Sequence, residues 1–266
     1  MRLAGHSAEE RPASGIIGLA GLARATLLET VVLRASRCSL DDDVGHTLSF
    51  LARLPKLRTL ELDLSSNRLT HTGLLQLAHL GRLQSLTDLS LDVSDNALGS
   101  GSVEGFVSAF LFRPGPRELV RLSFNVGGTA LEDCDLATVG NLGNLPKLQS
   151  LSLGLWRNQV GPMTMQSIVC LRFAKCLVNV TLDLHNCGLT GEHIPSLGAL
   201  CTMERLRSLL HGNDSLDACA LVGVLAIVHL PTSKVSWLSL QCDRAAGERL
   251  RSAASSDPRT SIVLVN

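Results

Sequence analysis

Leucine and similar apolar residues recur along the chain with a nearly constant spacing. A pattern of the form Leu-x-x-Leu-x-Leu-x-Leu-x-x-Asn-x-Leu begins at Leu28, Leu57, Leu86, Leu119, Leu148, Leu177, Leu206 and Val235. The step between successive starts is constant, except that the step from Leu86 to Leu119 is longer. A period of about 29 residues is typical of a solenoid, in which each repeat is one supersecondary unit that stacks on the next.

Each repeat contains a strand pattern followed by a helix pattern. In the second repeat, three leucines between residues 60 and 64 alternate with Glu61 and Asp63, which is the period of two of a strand with one buried face. After a turn, apolar residues recur at helical spacing over 74–83. Because strands pair at about 4.8 Å whereas helices pack about 10 Å apart, the stack must curve with its sheet inside. We therefore predict an α/β solenoid, or horseshoe, with a concave parallel sheet and convex helices.

The eleventh position of each repeat carries a side chain that can bond the backbone groups left unpaired where a strand turns. These predicted ladder residues are Cys38, Asn67, Asn96, Thr129, Asn158 and Cys187. We expect a structural role for them. In the last two repeats the position holds Leu216 and Ala245, so the pattern decays toward the carboxyl end, as is common in terminal repeats.

The repeats predict one domain that follows a short cap. Residues 1–27 form the predicted N-terminal cap segment, with a capping helix over 16–28. Residues 28–266 form the predicted repeat domain, which comprises about eight repeats and a terminal strand at 262–265. The most apolar run, 218–230, is too short to span a bilayer and indicates a buried helix.

The longer step between Leu86 and Leu119 contains an insertion of four residues. It falls within 112–118, where Pro114 and Pro116 cannot continue a helix. We therefore predict a protruding loop at a helix end.

Composition narrows the classes of partner. The chain has 24 basic and 24 acidic residues, and its aromatic content is 3% without any tyrosine. Neither an overall electrostatic field nor stacking side chains favour nucleic acid, so we predict no nucleic-acid partner. Eight cysteines without a Cys-x-x-Cys pair indicate neither a metal site nor a disulfide framework, and they favour a reducing, intracellular and cytoplasmic location. We predict no cofactor and no membrane span.

Two segments carry a family resemblance. Residues 60–70 read Leu-Glu-Leu-Asp-Leu-Ser-Ser-Asn-Arg-Leu-Thr, and residues 89–98 read Leu-Ser-Leu-Asp-Val-Ser-Asp-Asn-Ala-Leu. They resemble the leucine-rich repeat family, and the strand-plus-helix unit is similar to its ribonuclease-inhibitor-like branch. Two extra residues before the ladder position are similar to a variant found in many protist proteins. The resemblance implies protein binding and no chemistry.

Candidate binding residues lie at the open-face positions of the strands and just beyond the strand ends. They are Glu61, Asp63, Asp92, Asp95, Trp156, Arg157, Asp183 and His185. The carboxylates predict a basic partner, and an exposed tryptophan beside an arginine is a residue pair enriched at binding hot spots. The alternative is that Trp156 packs against its neighbouring turns and that the acidic strip is only solvated.

A catalytic site is not indicated. His185, Cys187 and His193 are close in sequence, but we expect their side chains to diverge, and an open sheet does not exclude water from a reaction. We therefore predict a non-catalytic interaction module that presents its concave face to another protein. The alternative is a structural scaffold subunit of a large assembly, which uses its convex helices and both ends. An enzyme would need a cleft that this repeat does not naturally make.

Overall fold

The computed structural model describes residues 25–112, 115–188, 200, 208–212, 237–241 and 261–265. Within these residues, nine strands of five residues each form one sheet, and all neighbouring strands are parallel and in chain order. They are β1 Thr30–Arg34, β2 Thr59–Asp63, β3 Asp88–Asp92, β4 Arg121–Asn125, β5 Ser150–Gly154, β6 Asn179–Asp183, β7 Ser208–Gly212, β8 Trp237–Gln241 and β9 Ser261–Val265. The predicted parallel α/β solenoid is confirmed, and the terminal strand is present as β9.

Helical segments follow the strands in the described repeats. The α-helices are α1 Asp43–Ser49, α2 His71–Leu77, α3 Ser102–Leu111 and α4 Pro162–Cys170. Four 3₁₀ segments accompany them: Phe50–Arg53, Ala78–Arg82, Val139–Asn144 and Leu171–Phe173. The fourth repeat has only its 3₁₀ segment, which packs closely on α4, since a Cβ atom on Gly140 would lie 1.8 Å from the Ser167 carbonyl oxygen.

One continuous core lies between the sheet and the helices. The second and fourth residues of β2 to β6 are buried, and they contact buried leucines of the helical segments. Three aromatic rings fill the core where the repeat length changes. Phe106 stacks on Phe124 with 4.8 Å between ring centroids, and on Phe110 with 5.3 Å. This apolar face leaves the opposite face of the sheet for polar residues.

The ladder residues bond backbone groups in their own repeat and the preceding one. The Asn96 amide oxygen accepts from the backbone N–H of Leu69 at 2.9 Å, and its nitrogen donates to the carbonyls of Leu64, Val93 and Ser94 at 2.9–3.1 Å. Equivalent bonds are made by Asn67 and Asn158. Thr129 donates to the Val126 carbonyl at 2.6 Å, and the thiols of Cys38 and Cys187 donate to the carbonyls of Ser36 and Leu155.

A second set of bonds joins the starts of α2 and α4 to the preceding repeat. The carboxylate of Asp133 accepts from the backbone N–H groups of Gly161, Met163 and Thr164 at 2.8–2.9 Å at the start of α4. Burial opposes ionisation of Asp133, but these bonds outweigh burial and lower its pKa. Asp42 acts in the same way on Thr70 and Gly73 at the start of α2.

One expectation needs a partial correction, and the structure describes the regions of several others only in part or not at all. The predicted capping helix lies mostly outside the described residues, and its last part, 25–28, is a turn. The predicted protruding loop over 112–118 is described only in part: Gly115 and Pro116 are buried, and the Gly115 carbonyl accepts from Gln84 Nε2 at 2.9 Å, whereas Phe112, Arg117 and Glu118 are exposed. The predicted buried helix over 218–230 lies outside the described residues, and the division of the chain at residue 28 stays a prediction.

Candidate protein-binding surface

Strand register arranges the open face of β2 to β6 into three rows of side chains. The first row is Thr59, Asp88, Arg121, Ser150 and Asn179. The middle row is Glu61, Ser90, Ser123, Ser152 and Thr181. The last row is Asp63, Asp92, Asn125, Gly154 and Asp183. The members of these rows are half-buried or exposed, apart from the buried Gly154. The centre of the face therefore carries short hydroxyl side chains, and the charges lie around them.

Side chains of the last row accept hydrogen bonds from the turns that follow the strands. One carboxylate oxygen of Asp92 accepts from the backbone N–H of Ser94 at 2.9 Å and from its hydroxyl at 2.6 Å. Asp63 makes the same two bonds to Ser65. Asn125 accepts from the Gly127 N–H at 3.0 Å. The predicted binding residues Asp63 and Asp92 thus have a local structural role at the strand ends.

The sixth repeat repeats this arrangement with a histidine. Asp183 accepts from the backbone N–H of His185 at 3.3 Å, and the same carboxylate oxygen contacts His185 Nδ1. The thiol of Cys187 points elsewhere, to the carbonyl of Leu155 at 3.2 Å, and burial raises its pKa to about 11. His185 and Cys187 therefore form no nucleophile–base pair, and His193 lies outside the described residues.

Ion pairs neutralise part of the acidic strip. Glu61 accepts from Arg34 on β1, with Nη2 at 3.0 Å and Nε at 3.2 Å. Asp88 pairs with Arg121 on the adjacent strand. After these pairs, the open face of β1 to β6 keeps the charges of three carboxylates, those of Asp63, Asp92 and Asp183. The face is acidic at the carboxyl ends of its strands and nearly neutral elsewhere.

The turns beyond the strands form a fourth row, which we call the turn row. It comprises Ser65, Ser66, Ser94, Asp95, Gly127, Gly128, Trp156, Arg157, His185 and Asn186. Backbone bonds connect its members: Asp95 N donates to Gly127 O at 2.8 Å, and Gly128 N donates to Trp156 O at 2.6 Å. Arg157 N donates to His185 O at 2.7 Å. Four predicted binding residues, Asp95, Trp156, Arg157 and His185, therefore lie along one edge of the sheet.

The indole of Trp156 rests on the backbone of the preceding turn. A Cβ atom on Gly127 would lie 2.2 Å from the indole, and one on Gly128 would lie 2.9 Å from it. The Arg157 guanidinium carbon lies 5.6 Å from the indole centroid. Trp156 is half-buried and Arg157 is exposed. Packing against a neighbouring turn, the alternative expected for Trp156, thus coexists with an accessible ring surface.

A shallow depression of about 270 Å³ crosses the first and middle rows over β2 to β5. Its polar lining includes Arg121, Ser123, Ser150 and Ser152, which sequence reasoning did not select as binding residues. The sequence does contain a signal for this depression, because small polar residues recur at equivalent strand positions next to one arginine.

The described residues contain neither an apolar helix long enough to cross a membrane nor a group of three or more His, Cys, Asp or Glu residues placed to hold a metal ion.

Comparison with known proteins identifies one repeat directly. The family model described as Leucine Rich Repeat matches residues 180–200, which begin within β6. No curated protein matches the chain. Repeats of this kind suggest a protein-interaction module and are typically non-enzymatic. The match supports a leucine-rich repeat at these residues, and the parallel α/β solenoid is consistent with it.

Proposed function

We propose that the chain is a non-catalytic protein-binding module whose recognition surface joins the open face of β2 to β6 to the turn row. The observation that carries this proposal is the Trp156 and Arg157 pair. The indole is held on Gly127 and Gly128, and the guanidinium lies over the ring. Tryptophan and arginine dominate binding hot spots. A ring that is already fixed loses little further entropy when a partner binds.

The partner should present basic groups to the carboxyl ends of the strands. Asp63 and Asp92 occupy paired positions on neighbouring strands, which places them roughly 5 Å apart along the row. Each uses one oxygen for its turn, but both keep a negative charge that a lysine or arginine would complement. Such charges raise the association rate and fix orientation more than they raise affinity.

The role of the Trp156 and Arg157 pair is tested by measuring the affinity of the chain for a purified partner. Tagged chain recovers the partner from its native cells, and calorimetry compares Trp156→Ala and Arg157→Gln with the parent. The matched control is Arg82→Gln, an exposed arginine of the 3₁₀ segment Ala78–Arg82. Loss of a hot spot of about 2 kcal/mol corresponds to roughly thirtyfold weaker binding. Equal affinity for the parent and both anchor variants would refute this surface.

The negative charges of the last row can be removed without disturbing the turns that follow the strands. Asn125 shows that an amide oxygen can accept the turn N–H in place of a carboxylate, so Asp63→Asn and Asp92→Asn remove charge and keep the acceptor. We expect a slower association and a weaker dependence on salt. An unchanged salt dependence would show that the partner contacts another region.

A scaffold subunit is the second candidate function, because two phenylalanines outside the sheet are largely exposed. Phe112 is 78% exposed after α3, and Phe173 is 66% exposed after α4. Permanent contacts between subunits are more hydrophobic than transient ones, so these two rings are the side chains that would lie in such a contact. Phe112→Ser and Phe173→Ser would release the chain from a large native complex if it is a scaffold subunit. Release by Trp156→Ala alone would exclude this function.

We propose the ribonuclease-inhibitor-like branch and an intracellular, cytoplasmic location as finer assignments. Paired strand residues such as Leu60 and Leu89 occupy the same position in successive repeats. The register of the sheet therefore follows the repeat period of the sequence, which supports the ribonuclease-inhibitor-like branch. The five cysteines in the described residues are unpaired, which fits a reducing compartment. Imaging of the tagged chain in its native cells tests the location.

A further inference from the structure

The depression on the open face contains a cationic group that is only partly neutralised. Arg121 is the first residue of β4, and it pairs through Nε with one oxygen of Asp88. The other oxygen of Asp88 accepts from the Thr87 hydroxyl at 2.7 Å. In the described part of the chain, the two terminal amino groups of Arg121 donate to no other group. They form the edge of the guanidinium that can hold a carboxylate with two parallel hydrogen bonds.

The two members of this ion pair differ in their exposure. The side chain of Asp88 is 20% exposed, whereas that of Arg121 is 68% exposed. An approaching partner therefore meets the guanidinium first, and Asp88 lies beneath it as the group that fixes the guanidinium in place. A fixed arginine loses less entropy on binding than a mobile one.

Serines line the same depression as this guanidinium. Ser150 is the register partner of Arg121 on β5, and Ser123 and Ser152 lie in the middle row beside them. Within the described residues these three hydroxyls have no hydrogen-bond partner. Each can donate one hydrogen bond to an anion. Their short side chains also leave the space into which a partner side chain can reach.

We propose that Arg121, with the hydroxyls of Ser123, Ser150 and Ser152, binds an aspartate or glutamate side chain of the protein partner. This inference rests on the proposed function and specifies part of the partner. The other carboxylate that lines the depression, Glu61, lies on β2 and is held by Arg34. Both carboxylates that line the depression are thus paired with an arginine, and the more exposed member of the pair at β4 is the Arg121 guanidinium.

This site gives the partner a direction. Arg121 lies at the amino end of its strand, whereas Asp63 and Asp92 lie at the carboxyl ends, roughly 13 Å away along the strand direction. The partner segment should carry an acidic side chain at one end and a basic side chain at the other. Reversed docking would bring like charges together, which disfavours it.

The experiment uses the full chain and a display library of random linear peptides. Peptides selected on the parent are synthesised, and their affinities are measured for the parent, Arg121→Gln, Arg121→Lys and the control Arg82→Gln. We expect an enriched acidic residue and about tenfold or greater weakening by Arg121→Gln. Arg121→Lys should retain part of the affinity, because it keeps the charge but loses the fork. Arg82→Gln should have no effect.

A second measurement separates loss of the direct contact from an indirect effect of the substitution. The acidic residue of a selected peptide is changed to its amide, and the double-mutant cycle with Arg121→Gln gives the coupling between the two groups. Coupling near zero, or selected peptides without an acidic residue, would overturn this inference. If Trp156→Ala still abolished binding in that case, the proposed function would be supported and only this inference would fail. Peptides unaffected by either variant, or no selected peptide, would refute both.

Discussion

Replacement of Asn96 by alanine tests whether the ladder stabilises the solenoid. Asn96 is 5% exposed and makes four hydrogen bonds to backbone groups. Two of the carbonyls keep another donor: Leu64 O still accepts from Asn67, and Ser94 O still accepts from the Ser66 N–H. The substitution therefore leaves the N–H of Leu69 and the carbonyl of Val93 as the groups without a partner among the described residues.

The expected loss of stability follows from these two groups. A buried backbone group without a partner destabilises by about 1–3 kcal/mol. Water that enters the vacated space can satisfy part of the demand, so we expect Asn96→Ala to lower the free energy of unfolding by about 2–4 kcal/mol. The control is Asn141→Ala, the same change at an exposed position in the 3₁₀ segment Val139–Asn144, which should change stability by less than about 0.5 kcal/mol.

Urea unfolding followed by circular dichroism measures both variants, and the comparison requires equal m values. Because long repeat arrays can unfold in parts, hydrogen exchange of the Leu69 amide gives a local readout. Its exchange should accelerate strongly in Asn96→Ala. A variant with parental stability and a protected Leu69 amide would refute the role assigned to the ladder.

Three further predictions follow from the structure. Gly127→Ala should displace the indole of Trp156 and shift its fluorescence to longer wavelength, measured with Trp237→Phe so that one tryptophan emits; an unchanged spectrum would contradict the packing described. Because the pKa of Asp133 is lowered in the folded state, its contribution to stability should be complete above the ordinary aspartate pKa of about 3.9 and disappear as pH falls below it. Chemical unfolding of the parent and Asp133→Ala across this range should show their difference shrinking toward acid pH. Cys187, with a pKa of about 11, should resist alkylation at neutral pH until the chain unfolds, as mass spectrometry can show; rapid labelling of the native chain would contradict its burial.

The strands were predictable because their pattern has one physical meaning. Two buried leucines at alternate positions, such as Leu60 and Leu62, fix which face enters the core, and a register shift of one residue would bury Glu61. The helical layer was less predictable. Apolar spacing cannot reveal the close approach of Gly140 to Ser167, which accompanies a 3₁₀ segment in the fourth repeat.

The insertion shows a second limit of sequence patterns. Two prolines correctly indicate that α3 ends near Leu111, but hydropathy does not show where the following residues go. The hydrogen bond from Gln84 to the Gly115 carbonyl holds Gly115 against the preceding repeat. The insertion also interrupts the constant period between Asp88 and Arg121. Their pairing therefore becomes visible only from the register of the folded sheet.

The aspartates of the last row illustrate why a single sequence pattern can carry two roles. Asp63, Asp92 and Asp183 recur at strand ends because each accepts the N–H of the residue two positions later. Asn125 fills the same structural role without a charge, so the turn requires an acceptor oxygen and does not require a carboxylate. The negative charge at the other positions is therefore not explained by the turn. Its remaining physical consequence is an acidic edge on the open face, which is the property that a basic partner would recognise.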